Sequence, residues 1–301
     1  MIIIKPAIWL AATRPAFLSV TLVAVALGLA NAVHQGAPLS FWLAAVTIFF
    51  ALIAHAGANV INDYYDALSG CDAANTERMP PFTGGSRFIQ NRVLTEKQTA
   101  YFGYALLCSV IPAGIWLVLQ SGAGLLGIGL LGLFCGWAYS ARPLKLQSRG
   151  LGEIAITIAW MMIVVGTDFV QQGHWSLSAW LIGLAYGLLV ANVLFINQIP
   201  DRRADAATGK QTLIVRFGPE IAPCVSQAFY FGCTLVLGIA IIFQLLPISS
   251  LLALLAAGPA VLALRALFTD VTDRQQIMIA IRMTIMTCLM FGALLAGTLL
   301  F

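Results

Sequence analysis

The sequence predicts an all-α, polytopic membrane protein, and three observations predict it. Hydrophobic residues make up 60% of the 301 and charged residues only 9%, far below the charged share of soluble domains. Apolar runs long enough to cross a bilayer as helices recur along the whole chain. When these runs are threaded alternately through a membrane, all sixteen Lys and Arg fall on one side.

The runs give nine spans, at 16–34, 40–61, 98–120, 123–140, 151–170, 176–198, 221–244, 248–268 and 277–299. The first begins past Arg14 and stops at the polar HQGAPLS. The second runs into NDYYD. Only QSGAG separates the third from the fourth. The fifth follows RGLG, the sixth ends where acidic residues reappear near Asp201, and the seventh follows FGPE. QLLPISS precedes the eighth, and TDVTDR separates it from the ninth. No stretch is left for a soluble domain, so residues 1–301 are expected to form one transmembrane domain. The opening MIIIKPAIWLAATRP lacks the n-region, h-region and cleavage site of a removable signal, so the first span is expected to stay.

The basic residues run from Lys5 and Arg14 to Arg274 and Arg282, all on the side of the N-terminus, which the positive-inside rule places in the cytoplasm. This predicts an integral protein of a bacterial-type inner membrane, with its C-terminus outside. The net charge of +4 is thereby explained by orientation, not by nucleic acid. The six cysteines form no CxxC pair, which leaves them as packing residues and not as disulfides or a metal site.

Orientation does not explain why eleven of the twelve carboxylates, all but Asp168, share the basic side. Nor does it explain the long connections at 62–97 and 197–220, which are read as functional. Asn62-x-x-x-Asp66 and Asn197-x-x-x-Asp201 echo each other 135 residues apart. The echo suggests a parallel repeat of spans 1–4 and 5–8, with the ninth added.

Positions 55, 59, 62, 63 and 66 share one helical face, as do Asn197, Asp201 and Asp205. Each cluster puts carboxylates at a helix C-terminus, where the macrodipole disfavours them. A hard divalent cation offsets that cost, and Mg²⁺ is commonly shared between carboxylates and substrate phosphates. Arg78, the GGSR run ending in Arg87, and Lys210 in TGKQT supply bases beside the acids. Gly84-Gly85 lets backbone approach a ligand closely. His55 is read as an interhelical hydrogen-bonding residue and Tyr64 and Tyr65 as interfacial residues. Arg202 and Arg203 serve topology and anionic lipid, and Arg265, Asp270, Asp273 and Arg274 form a solvated loop. A secondary transporter also buries carboxylates, but its charges are expected near the midplane, not at one face.

NDYYDALSGCD at 62–72 and DRRAD at 201–205, followed by GKQTLIVRFG, together resemble the UbiA superfamily of intramembrane aromatic prenyltransferases. GGSRFIQ, YSARPLKLQSRGLGEIAI and GTDFVQQG agree with it, and the resemblance covers essentially the whole chain. Asp72 lies six positions after Asp66, and with RGLGE and GKQT this is similar to the 1,4-dihydroxy-2-naphthoate branch of menaquinone synthesis. The alternative is the 4-hydroxybenzoate branch of ubiquinone synthesis, for which Arg14 would bind the acceptor carboxylate.

The resemblance implies nine helices around a central cavity and two Mg²⁺ ions held by Asn62, Asp63, Asp66, Asp72, Asp201 and Asp205. The ions would bridge a polyprenyl diphosphate. Arg87, Arg142, Lys145, Lys210 and Arg14 are implied in substrate binding. Asp66, Asp201, Tyr139 and Lys145 are implied in catalysis, Tyr139 by offering its π face to the allylic cation. A small aromatic acceptor would attack the allylic carbon, with loss of carbon dioxide if it is the naphthoate.

Overall fold

The computed structural model describes residues 5–301, so Met1–Ile4, the start of the stretch read as an uncleaved N-terminus, lie outside the described residues. Twelve α-helices follow in order. They are α1 (Pro6–Ala12), α2 (Leu18–His34), α3 (Phe41–Ser69), α4 (Cys71–Ala74), α5 (Glu96–Ser121), α6 (Gly124–Ala138), α7 (Gly152–Gln172), α8 (Leu177–Ala207), α9 (Leu213–Phe217), α10 (Ala222–Ile242), α11 (Ala257–Thr269) and α12 (Arg274–Leu300). No strand occurs among the described residues. The all-α membrane fold is borne out.

Eight helical segments are long and apolar enough to cross a bilayer, and α6 supplies a shorter ninth. With 15 residues it is about 22 Å long, less than the roughly 30 Å hydrocarbon core. The expected span 123–140 is trimmed at both ends, by Ala123 at the cap and by a turn from Tyr139 onward. The eighth span is part 3₁₀, over Ile248–Ala256, and part α11.

Two spans overshoot their expected ends. α3 has 29 residues and α8 has 31, or about 44 and 46 Å, so each carries its acidic motif beyond the hydrocarbon core as continuing helix. The polar residues there are paired across to one another, as described below, and so do not unwind the turns. Helix α3 stops at Gly70, whose φ of +79° supplies the left-handed cap.

Helix α8 is the most buried crossing. Its Tyr186, Leu189 and Val190 pack with Leu27 of α2, Val164 of α7 and Leu295 of α12 in the main core. Small residues allow the close crossings expected of helices in lipid. A Cβ on Gly28 or on Gly187 would come within 2.5 Å of the carbonyl of Val164 or Thr157 on α7. This packing fixes α7 and α8 against each other, and therefore fixes the acidic end of α8.

Candidate active site

The ends of α3 and α8 face each other across a cavity of about 220 Å³. Its wall includes Asn62, Asp66, Asp72, Asp201, Asp205 and Lys210. Helix α3 contributes the first two at a four-residue spacing. The left-handed turn at Gly70 then folds the chain back into α4, which buries Asp72 beside them. Cys71 ties this turn to α8 by donating its thiol to Asp205 Oδ1 at 3.1 Å, and Asn75 Nδ2 donates to Asp201 Oδ1 at 2.6 Å.

Lys210 stands between the two clusters. Its ammonium is 2.8 Å from Asp66 Oδ1 and 3.4 Å from Asp205 Oδ1, and its side chain is only 8% exposed. Burial alone would lower its pKa, but Asp66 and Asp205 outweigh burial and hold it well above the ordinary lysine value. It therefore stays charged. Thr208 and Gly209 close the end of α8 in a tight turn that lets the Lys210 amide donate to the Asp205 carbonyl at 2.9 Å. This places the side chain back over the acids.

Arg14 closes the other side. It sits in a left-handed backbone turn, φ 54°, between α1 and α2, pairs with Asp63, and donates to Asn62 Oδ1 at 3.4 Å. Asp63 also accepts from the Ser86 amide at 3.0 Å. Both glycines before Ser86 have positive φ, and at Gly85 the backbone runs against the acids. A Cβ there would lie 2.9 Å from Asp72 Oδ2, 3.0 Å from Asp63 Oδ1 and 3.1 Å from Arg14 Nη2. The close approach expected of Gly84-Gly85 is thus directed at the acidic site.

Asp72 has its carboxyl pushed up to about 7, by burial first and then by the charges of Asp66 and Asp63. Arg14, despite burial that acts to lower its pKa, is raised by Asp63 and Asp72.

Among the described residues no three His, Cys, Asp or Glu side chains converge as a ready metal cluster. Each carboxylate is turned to a protein partner instead: Asp63 to Arg14, Asp66 and Asp205 to Lys210, Asp201 to Asn75, and Asp72 to Gln90. The donor set nonetheless fits a hard divalent cation, being carboxylate and carboxamide oxygen throughout. Among the described residues the five carboxylates Asp63, Asp66, Asp72, Asp201 and Asp205 form ion pairs with two basic groups, Arg14 and Lys210, which leaves negative charge to be neutralised.

The structure sorts the other expected site residues. Tyr139 lines the cavity. Asp63 lies behind its wall, engaged by Arg14 and Ser86. Arg87, Arg142 and Lys145 are not among the lining residues. Arg87 sits at φ 64° and donates to the Asp72 carbonyl, so it braces α4. Arg142 is exposed, and Lys145 takes a left-handed turn that opens the 3₁₀ segment Leu146–Arg149.

Other expectations fare similarly. Arg78 packs over Gly84. Arg203 pairs with Glu77 in an exposed ion pair. His55 makes the expected interhelical bond, its Nδ1 lying 2.8 Å from Thr21 Oγ1. Arg274 is less free than a solvated loop residue, donating to the carbonyls of Glu77 and Arg78.

Sequence reasoning missed Gln147, which lines the cavity and donates to Asp66 Oδ1 at 3.3 Å. It also missed Asn75, Cys71 and the Glu153–Gln198 pair, in which Gln198 Nε2 donates to Glu153 Oε1 at 2.6 Å. Gln147 and Glu153 both stood inside the YSARPLKLQSRGLGEIAI stretch, the available signal.

Comparison with known proteins bears on the fold and the family. The model of the UbiA prenyltransferase family matches residues 17–295. The 1,4-dihydroxy-2-naphthoate octaprenyltransferase of Escherichia coli (strain K12) is 29% identical over 258 residues, covering 83% of this chain and 81% of that protein. The enzyme of the same name from Mycobacterium tuberculosis is 26% identical, covering 83% and 85%. A UbiA homolog from Archaeoglobus fulgidus, solved bound to DMAPP and Mg²⁺, has the same fold, with a TM-score of 0.67 at 14% identity over 95% of this chain and 98% of that one. The apo UbiA homolog from Aeropyrum pernix K1 gives 0.64 at 16% identity, over 89% and 94%.

Proposed function

We propose that this chain, which belongs to the UbiA prenyltransferase family and is a membrane-embedded prenyltransferase, transfers a polyprenyl group from its diphosphate to 1,4-dihydroxy-2-naphthoate in menaquinone biosynthesis. One observation carries the reading: two acidic helix ends meet across a single cavity with a buried lysine between them. The acceptor is proposed from the names of the relatives and from the spacing of Asp72.

Asp66, Asp72, Asp201 and Asp205, with Asn62, would hold Mg²⁺, which when bound draws charge from the diphosphate leaving group. Asp63 would act one step back, holding Arg14 in its strained turn. Lys210, placed between the two acidic clusters, would pair with the diphosphate, a charge-assisted contact that would strengthen as the allylic bond breaks. Arg87 braces α4 and so positions Asp72. Arg142 and Lys145, on the loop after α6, would reach the diphosphate only by a shift of that loop. Tyr139 would offer its ring face to the allylic cation. The acceptor ring would attack at the carbon bearing its carboxylate, and carbon dioxide would leave.

The chain is further proposed to be one domain, 1–301, with spans 1–4 and 5–8 as a parallel repeat, lying in a bacterial-type inner membrane with the site facing the cytoplasm.

Purified protein incubated with Mg²⁺, labelled octaprenyl diphosphate and equal concentrations of 1,4-dihydroxy-2-naphthoate and 4-hydroxybenzoate tests the reading. Prenylated naphthoquinol with released carbon dioxide is expected. Prenylated 4-hydroxybenzoate without carbon dioxide would move the chain to the other branch.

A further inference from the structure

Two glutamines line the acidic cavity, and their amides are engaged differently. Gln147 is bonded at both ends: its Nε2 donates to Asp66 Oδ1 at 3.3 Å, and its Oε1 accepts from Asn62 Nδ2 at 3.4 Å. Gln198 of α8 is bonded at one end. Its Nε2 donates to Glu153 Oε1 of α7 at 2.6 Å, while its Oε1 is buried with no hydrogen-bond partner among the described residues. The residue is only 8% exposed. A buried carbonyl oxygen left without a donor is a cost that folding alone does not recover.

Glu153 is buried as well, in the first turn of α7, where the helix N-terminus favours negative charge. No Lys, Arg or His pairs with it among the described residues, so Gln198 is the side chain that answers it. With its NH2 held on Glu153, the end that Gln198 has left to offer is its oxygen. The pair lies near the chemistry. Gln198 precedes Asp201 by three residues on α8, about 4.5 Å along the axis. Gly152, next to Glu153, packs beside Tyr139, a Cβ on it lying 3.5 Å from Tyr139 Cε2.

Resting on the prenyl-transfer reading above, we infer that Gln198 Oε1 accepts a hydrogen bond from a hydroxyl of the aromatic acceptor, and that Glu153 is the positioning residue that aims it. The ligand group is argued from its chemistry. The oxygen needs a donor, which neither a polyprenyl tail nor an ionised diphosphate carries and a phenolic hydroxyl does. As the ring bonds to the allylic carbon and the bond to the diphosphate oxygen breaks, positive charge develops on the ring and makes its hydroxyl a stronger donor. An amide oxygen whose NH2 is held by a carboxyl group is polarised to receive that bond. The proton stays on the hydroxyl, because departing carbon dioxide leaves its bonding pair to the ring. A divalent cation also takes carboxamide oxygen, and the test separates the two.

The test crosses the residue with the ligand's hydroxyls in the full-length protein. Acceptor kcat/KM is measured at saturating Mg²⁺ and octaprenyl diphosphate for 1,4-dihydroxy-2-naphthoate, 1-hydroxy-2-naphthoate and 4-hydroxy-2-naphthoate. Gln198→Leu should lower the dihydroxy value by about tenfold or more, with little change for the analogue that lacks the recognised hydroxyl and none in the KM for donor. Equal losses on all three acceptors would leave Gln198 a structural link between α7 and α8, and a raised Mg²⁺ requirement would make it a metal ligand. Either result overturns the inference. Glu153→Gln, whose amide pairs with Gln198 either way round, should lower kcat for the dihydroxy acceptor by about fivefold at unchanged donor KM, and an unchanged kcat would remove its positioning role. If Gln198→Leu does not fold with Glu153 stranded, Gln198→Leu combined with Glu153→Leu, apolar at both positions, carries the same comparison. Independently of turnover, fluorescence titration of the three naphthoates onto the protein with Mg²⁺ and inorganic pyrophosphate should show the same selective weakening. If the wild-type chain prenylates no acceptor, the proposed reaction fails, while the titration still decides the role of Gln198.

Discussion

Lys210 shows how single residues hold this site together. A buried ammonium is costly to desolvate, and only its two carboxylate partners repay that cost. Lys210→Met should therefore lower the metal-free stability by about 3–5 kcal/mol, the size of breaking a buried pair from one side. The same change should tighten Mg²⁺ binding, since the competing cation is gone. Calorimetric titration with Mg²⁺ beside thermal unfolding with and without it checks both. Unchanged Mg²⁺ affinity would show that Lys210 and the metal do not share the acids. Asp72 gives a pH dependence. Its folded pKa, about 7, is above the ordinary aspartate value because burial and then the neighbouring acids disfavour its charge. Its contribution to metal-free stability is full below the ordinary aspartate pKa and is lost as pH rises through about 7. A cation must displace its proton, so Mg²⁺ affinity should climb up to about tenfold per pH unit toward 7 and then level off. Asp72→Asn should flatten this profile.

At the scale of elements, the acidic motifs of α3 and α8 were legible in the sequence because the three- and four-residue spacings follow from helix geometry alone. Their helical ends were not. Hydropathy falls off where the motifs begin, near 61 and 198, yet the helices continue to Ser69 and Ala207. Bonds such as Asn75 to Asp201 and Cys71 to Asp205 span more than a hundred residues and leave no local trace. Arg14 was legible as a charge but not as a partner of Asp63, since its direction is set by a left-handed turn between α1 and α2. The loop after α4 was legible in its glycines, and there a local prediction follows. Gly85→Ala combines a positive φ, +66°, with a Cβ placed 2.9, 3.0 and 3.1 Å from Asp72, Asp63 and Arg14, all closer than ordinary van der Waals contact. Backbone strain alone costs about 1–3 kcal/mol, and the loop is expected to move off the acids. Helical content by circular dichroism should be retained while Mg²⁺ binding and prenyl transfer fall by at least about tenfold, the equivalent of 1.4 kcal/mol. Retained Mg²⁺ affinity would mean that the close approach at Gly85 does not shape the metal site.

For the whole molecule, the question is whether the short helix α6 crosses, because eight crossings would return both termini to one side and nine would separate them. The contacts decide how the ends lie. Gln147, just past α6, donates to Asp66 at the end of α3, so the chain has come back to the acidic end by that point. Since α5 starts near this end, with Leu94 packed against Ala12 and Val60, α5 and α6 must go out and return. At the other extreme, Arg274 at the start of α12 donates to the carbonyls of Glu77 and Arg78 on the acidic side. The 27 residues of α12 then carry the chain about 40 Å away. Phe301 therefore lies at the face opposite Arg14. That far face also holds Asp168, the one carboxylate set apart in the sequence. It is buried and accepts from Asn31 and Gln172, each at 2.7 Å, and acidic residues weigh little in the orientation rule. The gathering of bases at the acidic end is what the proposed cytoplasmic orientation of that end rests on, by the positive-inside rule. A reporter fused after Phe301 should behave as external, and one inserted in the exposed turn after Asn91 as cytoplasmic. A cytoplasmic reading at Phe301 with an external one after Asn91 would invert the proposed orientation, whereas cytoplasmic readings at both would mean that α6 does not cross in the membrane.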